Sequence, residues 1–263
     1  MLQIGQDVTV LEIANYLGDN ALESMQDVRI KILHDDRSKG MAWHAHEEAQ
    51  LMWVTSGCAS METSAGRWLV PAGRMGWFPG REPHRGRVIT PVTGFSLYLR
   101  CNWLDYPTVF EGSELCQALL KSLTQKVPSD VSQRRLAALG DEIKAAKPLS
   151  VGLPLPYSER LKALCETIAT SPALAPPLEL AATQVALSRR SFSRHFKQQT
   201  GLSYGQWLQL ARIHHSLVLL GEGGRVSDAA LAVGYDTVSA FCQVFRQVMG
   251  QSPGRWQNLN QTV

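Results

Sequence analysis

The stretch VSDAALAVGYDTVSAFCQVFRQVMGQSP, residues 226–253, limits the fold more than any other part of the chain, because it holds start and stop signals for two helices separated by a tight turn. Ser227 can cap the first helix, residues 229–233 supply its short apolar face, and Gly234 can adopt the left-handed backbone that ends it. Asp236 or Thr237 then caps a second helix in which Phe241, Phe245 and Val248 fall at i, i+4 and i+7. That stripe turns inward. Gly250 stops the helix, and Ser252 with Pro253 begins another.

The pattern is present twice. At an offset of 49 positions Ala181 matches Ala230, Phe192 matches Phe241, Phe196 matches Phe245, Lys197 matches Arg246, Gly201 matches Gly250 and Ser203 matches Ser252. Two units do not make a solenoid, but a tandem helix-turn-helix pair is an arrangement that reads double-stranded DNA. The units are expected at about 178–199 and 227–249. In the first, Ser188 caps a helix whose phenylalanines face the core, leaving Arg189, Arg190, Ser193, Arg194 and Lys197 for the groove and its phosphates. In the second, Thr237, Val238, Ser239, Gln243 and Arg246 take those parts. The first turn has Val185 and Ala186 where the second has glycine, and residues 203–220 read as a long helix that spaces the two units.

Charge follows the same division. Residues 157–263 carry 10 Lys and Arg against 6 Asp and Glu, a net of +4, while residues 1–156 carry 16 against 17, a net of −1. Positive charge therefore collects on the helical half, as phosphate binding favours.

Residues 158–257 resemble the DNA-binding domain of the AraC/XylS transcription regulators. The second-half signature A-x-x-V-G-F/Y, S/A-x-F-x-x-x-F-+ and G-x-S/T-P stands at 230–235, 239–246 and 250–253, and the first-half signature L-S-x-x-x-L/F-x-R-x-F-K at 187–197. The resemblance implies a sequence-specific, non-enzymatic regulator acting at a promoter or operator. Its expected partners are a small-molecule effector, a second copy in a homodimer, and RNA polymerase.

The N-terminal part has the texture of short strands and turns, as in a small β-barrel, from residue 2 to about residue 100. Within it His44, His46, Gln50 and Gly57, then Gly73, Pro79 and His84, resemble the two motifs of the cupin barrel, G-x5-H-x-H-x3,4-E-x6-G and G-x5-P-x-G-x2-H. Gln50 stands where the motif has a carboxylate, Gly40 is two residues out of register, and a glycine falls at 80 where the motif puts one at Arg81. In cupin enzymes such residues hold a metal. His44 and His46 at i and i+2 on a strand would share a face that His84 can reach, so a divalent metal on three histidines is one reading; hydrogen bonding around an effector pocket is the other. Trp43, Trp53, Trp68, Trp77 and Trp103 are core residues or walls of such a pocket.

Two amphipathic helices are expected over 113–146, one with Leu115, Ala118, Leu119 and Leu123 on its apolar face and one with Leu136, Leu139, Ile143 and Ala146, for dimerisation or for packing on the barrel. PLSVGLPLP, residues 148–156, has three prolines and no charge and reads as a semi-rigid tether. The expectation is thus an α+β chain of two domains: a cupin-like barrel with a helical dimerisation segment over 1–148, a linker over 149–156, and an all-α double helix-turn-helix domain over 157–263. The five cysteines are scattered without C-x-x-C spacing, which argues against a disulfide framework or a zinc finger. No apolar run reaches membrane-spanning length and no signal peptide is visible, so the cytoplasm is expected and no membrane partner. The competing reading is a metal-dependent cupin enzyme fused to a DNA-binding domain, which a stoichiometric metal content would favour.

Overall fold

The computed structural model describes residues 28–34, 41–125 and 128–261. Gly40 and the first 27 residues lie outside the described residues. Among the described residues seven strands come first for the most part: β1 (Val28–His34), β2 (Ala49–Thr63), β3 (Gly66–Pro71), β4 (Arg74–Phe78), β5 (His84–Leu99), β6 (Thr108–Glu111) and β7 (Gly152–Pro154). They form one antiparallel sheet in the order β1-β5-β2-β3-β7, with β4 between β2 and β6.

Where short strands are expected, residues 49–63 form one long bent strand, β2. Its first half pairs with β4 and its second half with β3, while β5 runs along both. The bend sits at Gly57, where φ is 79° and a Cβ would lie 1.8 Å from the Pro91 carbonyl oxygen, so no other residue fits. Because successive strand side chains alternate, Leu51 and Trp53 face one layer and Met52 and Val54 the other. Both layers are filled, which is why this stretch reads as a continuous apolar run.

Helices α1 (Glu114–Leu123) and α2 (Ser129–Ala145) cover the first layer through Cys116, Leu120, Leu123, Leu139 and Ile143. Ser113 caps α1 by accepting from the Cys116 N–H. The register of α1 differs from expectation: Leu115 is 51% exposed, and Cys116 and Leu120 face the sheet instead.

The C-terminal half is helical: α3 (Glu159–Thr170), α4 (Leu178–Gln184), α5 (Arg189–Thr200), α6 (Tyr204–Gly221), α7 (Val226–Ala232), α8 (Val238–Met249) and α9 (Pro253–Gln261). Helix α6 begins with a capping box between Ser203 and Gln206, and it runs through both halves of the domain. Trp207, Leu210 and Ala211 enter the core of the first unit, and Ile213, Leu217 and Leu220 that of the second.

Residues 149–156, expected as a semi-rigid tether, are bonded to both halves. Strand β7 pairs with β3 on the barrel side, while the Val151 carbonyl accepts from His214 Nε2 at 2.9 Å and the Pro154 carbonyl from Trp207 Nε1 at 2.6 Å, both on α6. Prolines are tolerated there because β7 lies at a sheet edge, where a missing N–H costs no ladder bond. The barrel also touches the second unit directly, since Cys58 and Leu69 share a core with Leu217, Leu220, Phe245 and Trp256.

Candidate functional site

Each helix-turn-helix unit is built from a short alanine-bearing helix, a left-handed residue and a recognition helix. In the first, Ala181 and Ala182 are buried on α4, Ala186 takes φ 58°, and α5 buries Phe192 and Phe196. In the second, Ala229 and Ala230 are buried on α7, Gly234 takes φ 87°, and α8 buries Phe241, Phe245 and Met249. The turn hydrogen bonds also correspond: Leu187 N–H donates to the Ala182 carbonyl and Tyr235 N–H to the Ala230 carbonyl.

These pairings put the offset at 48 through the first helix and the turn, so Ala181 corresponds to Ala229, not Ala230. The offset becomes 49 only at the caps, Ser188 and Thr237, with Asp236 as the extra residue. Both caps accept the N–H three residues on, from Ser191 and Ala240. Ser227 caps nothing: α7 begins after Arg225, which pairs with Asp228 at 2.8 Å.

All ten residues expected to face DNA are exposed: Arg189, Arg190, Ser193, Arg194 and Lys197 on α5, and Thr237, Val238, Ser239, Gln243 and Arg246 on or just before α8. Arg189 is engaged with Glu179 at 3.1 Å, and Arg194 Nη2 lies 3.2 Å from His195 Nε2. The offset adds one residue that the pattern did not pick out. Cys242 occupies on α8 the place of Ser193 and lines an open groove with Ser239, Gln243, Arg246 and Gln247.

A second constellation lies where β5 begins. His44 and His46 are not on a strand as expected. His44 forms an isolated antiparallel bridge with His84, with N–H to carbonyl bonds of 3.0 and 2.9 Å in both directions, so the two side chains project to one side. His46 is held from the next turn, where its carbonyl accepts from the Arg81 N–H at 2.8 Å. One ring nitrogen from each of the three lies within 4.8 Å of the others.

Every Nδ1 in the trio meets a backbone carbonyl, of Ala42 at 3.0 Å, Glu48 at 2.7 Å and Glu82 at 2.8 Å. A carbonyl only accepts, so each Nδ1 carries a proton, and in a neutral ring that leaves the lone pair on Nε2. His46 Nε2 and His84 Nε2 are buried with no hydrogen-bond partner. Burial, reinforced by the rings of His44 and His46, holds His84 below the usual histidine range and thus neutral. Gln50 does not join them: its Nε2 donates to Ser96 Oγ at 2.7 Å. Tyr98, which no motif marks, packs its ring edge-on to His46 at 5.2 Å.

The expected tryptophan wall is mostly core. Trp53, Trp68 and Trp77 are buried, Trp77 stacks on Trp103 at 5.2 Å, and Trp43 is 49% exposed beneath the Arg85 guanidinium. A cavity of about 260 Å³ opens where the barrel meets α6, lined among others by Glu62, Arg67, Arg85, Arg87 and His214. Burial alone would raise the Glu62 carboxyl, but Arg85 and Arg67 hold it below the ordinary range.

Two family models match the chain, an AraC-like ligand binding domain over residues 31–140 and a helix-turn-helix domain over residues 181–259. The HTH-type transcriptional regulator NimR of Escherichia coli K12 is 27% identical over 220 residues, 81% of each chain. The HTH-type transcriptional activator RhaR of Klebsiella pneumoniae is 35% identical over 81 residues, 30% of this chain and 29% of that protein. The crystal structure of ToxT from Vibrio cholerae O395 aligns with 90% of this chain and all of its own, at 9% identity and a TM-score of 0.41.

Proposed function

A chain with an AraC-like ligand-binding domain ahead of a helix-turn-helix domain belongs to the AraC/XylS family of transcription regulators, and from that premise we propose that its two recognition helices read an operator unequally. The protein binds DNA and carries an effector-binding domain; the curated relatives are named as regulators or activators of transcription, not as enzymes. One observation supports the unequal reading: α5 carries four exposed cations, Arg189, Arg190, Arg194 and Lys197, where α8 carries Arg246 alone.

With Arg189 engaged by Glu179, the base-reading arginines of α5 are Arg190 and Arg194, one helical turn apart. A guanidinium makes two hydrogen bonds to guanine in the major groove, worth about 1–3 kcal/mol of discrimination. Helix α8 offers Gln243, which suits adenine, the permissive Ser239, and Val238 for a thymine methyl; Arg246 and Lys197 serve phosphates. Helix α6, 18 residues and so about 27 Å long, spaces the two readers toward successive major grooves.

The homodimer contact belongs on the outer face of α1, where Leu115 is exposed, and contact with RNA polymerase completes the regulator's action at a promoter. Such a protein works in the cytoplasm, and no helix among the described residues is long and apolar enough to cross a membrane. The test is selection from a randomised operator library by the wild type, Arg194→Ala and Gln243→Ala. Arg194→Ala is expected to relax base preference more, at guanine positions under α5. A larger loss of preference in Gln243→Ala would refute α5 as the principal reader.

A further inference from the structure

We propose that the cavity between the barrel and α6 is a binding site for a small hydroxycarboxylate anion, held at the seam of the two halves and not inside the barrel. The proposal rests on the regulator reading above, in that it gives the effector a chemical class and a place. Strand register, charge and one buried histidine support it together.

Glu62 of β2 lies directly opposite Arg67 of β3 and Arg85 of β5, and Ser60, two residues back, lies opposite Leu69 and Arg87. Strand side chains two apart share a face, so these two cross-strand rows put three guanidiniums on one side of the sheet. That side turns to α6, whose His214 and Val218 close the cavity.

The lining carries three arginines against one carboxylate. Glu62 meets Arg67 at 3.3 Å and Arg85 at 2.8 Å, so a single anion is divided between two cations. Arg87, whose row holds only Ser60 and Leu69, faces no carboxylate across the strands. Guanidinium forks of this kind suit a planar carboxylate. Leu69, Ile89 and Val218 offer an apolar wall to a carbon frame, and at about 260 Å³ the cavity is slightly smaller than those that take drug-sized ligands.

His214 adds the hydroxyl. It is 3% exposed, its Nε2 donates to the Val151 carbonyl at 2.9 Å, and its Nδ1 is buried with no hydrogen-bond partner. In a neutral ring protonated at Nε2, Nδ1 is an acceptor, and a ligand O–H is the donor it lacks. An ammonium would also donate, but three guanidiniums repel it. A ligand placed here touches β2, β3, β5 and the helix that spaces the two DNA readers. The halves are already in close contact beside it, since a Cβ on Gly221 of α6 would come within 2.7 Å of the Ile89 carbonyl oxygen.

The test is calorimetric titration of the full-length protein with mandelate, with phenylacetate, which lacks the hydroxyl, and with methyl mandelate, which lacks the charge. Mandelate should bind at one equivalent, phenylacetate several-fold more weakly, and methyl mandelate not measurably. Arg87→Gln, at an exposed position, should weaken both acids more than about tenfold, as loss of a charge-assisted hydrogen bond does. His214→Gln keeps a donor for Val151 and removes the Nδ1 acceptor, so it should bring mandelate to the level of phenylacetate and leave phenylacetate unchanged; a merely structural role would move both alike. No saturable heat with either acid, or binding that Arg87→Gln leaves intact, would overturn the site. Equal affinity of the wild type for the two acids would overturn the hydroxyl contact. Binding to duplex DNA at low salt is measured on the same samples. A protein that binds DNA and neither acid loses only this proposal, whereas one that binds mandelate and has no affinity for DNA loses the regulator reading.

Discussion

Ala186 and Arg81 hold left-handed backbone, at φ 58° and 67°, and they are the non-glycine residues with positive φ among those described. That conformation costs a residue with a Cβ about 1–2 kcal/mol, of which glycine would return about 0.5–1 through its greater freedom when unfolded. Ala186→Gly should therefore stabilise the full chain by up to about 1 kcal/mol, read as a raised urea midpoint. Arg81→Gly should do no more than that, since it gives up an exposed 2.7 Å pair with Glu47, and such pairs contribute little. A lowered midpoint in Ala186→Gly would mean that the turn does not strain its alanine. These two residues also show what a motif conveys. The cupin pattern asks for glycine at 81, and the backbone there is left-handed as it requires. The glycine at 80 answers a different demand, because a Cβ on it would sit 2.3 Å from the Glu47 carbonyl oxygen. Sequence showed the departure from the pattern but not that two adjacent positions are both constrained.

At the scale of elements, helices were legible and strand partners were not, for the same physical reason. Apolar spacing and caps are local, so α5, α6 and α8 fall within a residue or two of expectation. Strand pairing is set by distant segments, so β7 hid inside a proline-rich stretch, and His44 met His84 through a bridge instead of through strand alternation. The one-residue change of offset was hidden because each first helix carries two adjacent alanines, and either could be matched. The bond that ties α6 to the segment leading into β7 makes an acid-sensitive point. Burial pushes the pKa of His214 down to about 3, with Arg67 adding to the effect, and its Nε2 donates to the Val151 carbonyl. An unfolded imidazole titrates near ~6.5, so between those values the unfolded chain binds a proton that the folded one refuses. Stability from this group is then full above about pH 6.5 and falls as pH drops toward 3, by on the order of a few kcal/mol. His214→Gln keeps a donor for the carbonyl and removes the titration. Urea unfolding between pH 7.5 and 4.5, about the range where the unfolded imidazole gains its proton, should show a shallower loss in that variant than in the wild type. Equal slopes would exclude His214 as the source.

The whole molecule is joined more tightly than two modules on a tether, and the boundary between its halves can be tested. Leu153 is 2% exposed and belongs to the core of the first helix-turn-helix unit, with Leu155 packed against it, although β7 hydrogen-bonds to the barrel. The indole N–H of Trp207, itself fully buried, is satisfied by the Pro154 carbonyl. A C-terminal fragment that starts at residue 157 would lose that acceptor and leave a leucine-sized void beside Trp207. Removing a buried leucine side chain costs about 2–5 kcal/mol, the spread reflecting how far the site collapses. A fragment of 149–263 restores the leucines and the acceptor, while exposing the same α6 surface that the barrel covers in the full chain. The comparison therefore isolates the contribution of the linker. Both fragments are expected to bind DNA with affinity that falls as salt rises, since both recognition helices are intact. The longer one should be the more stable by about 2–5 kcal/mol in urea unfolding. Equal stability would show that residues 149–156 follow the barrel alone, and that the helix-turn-helix domain begins at residue 157.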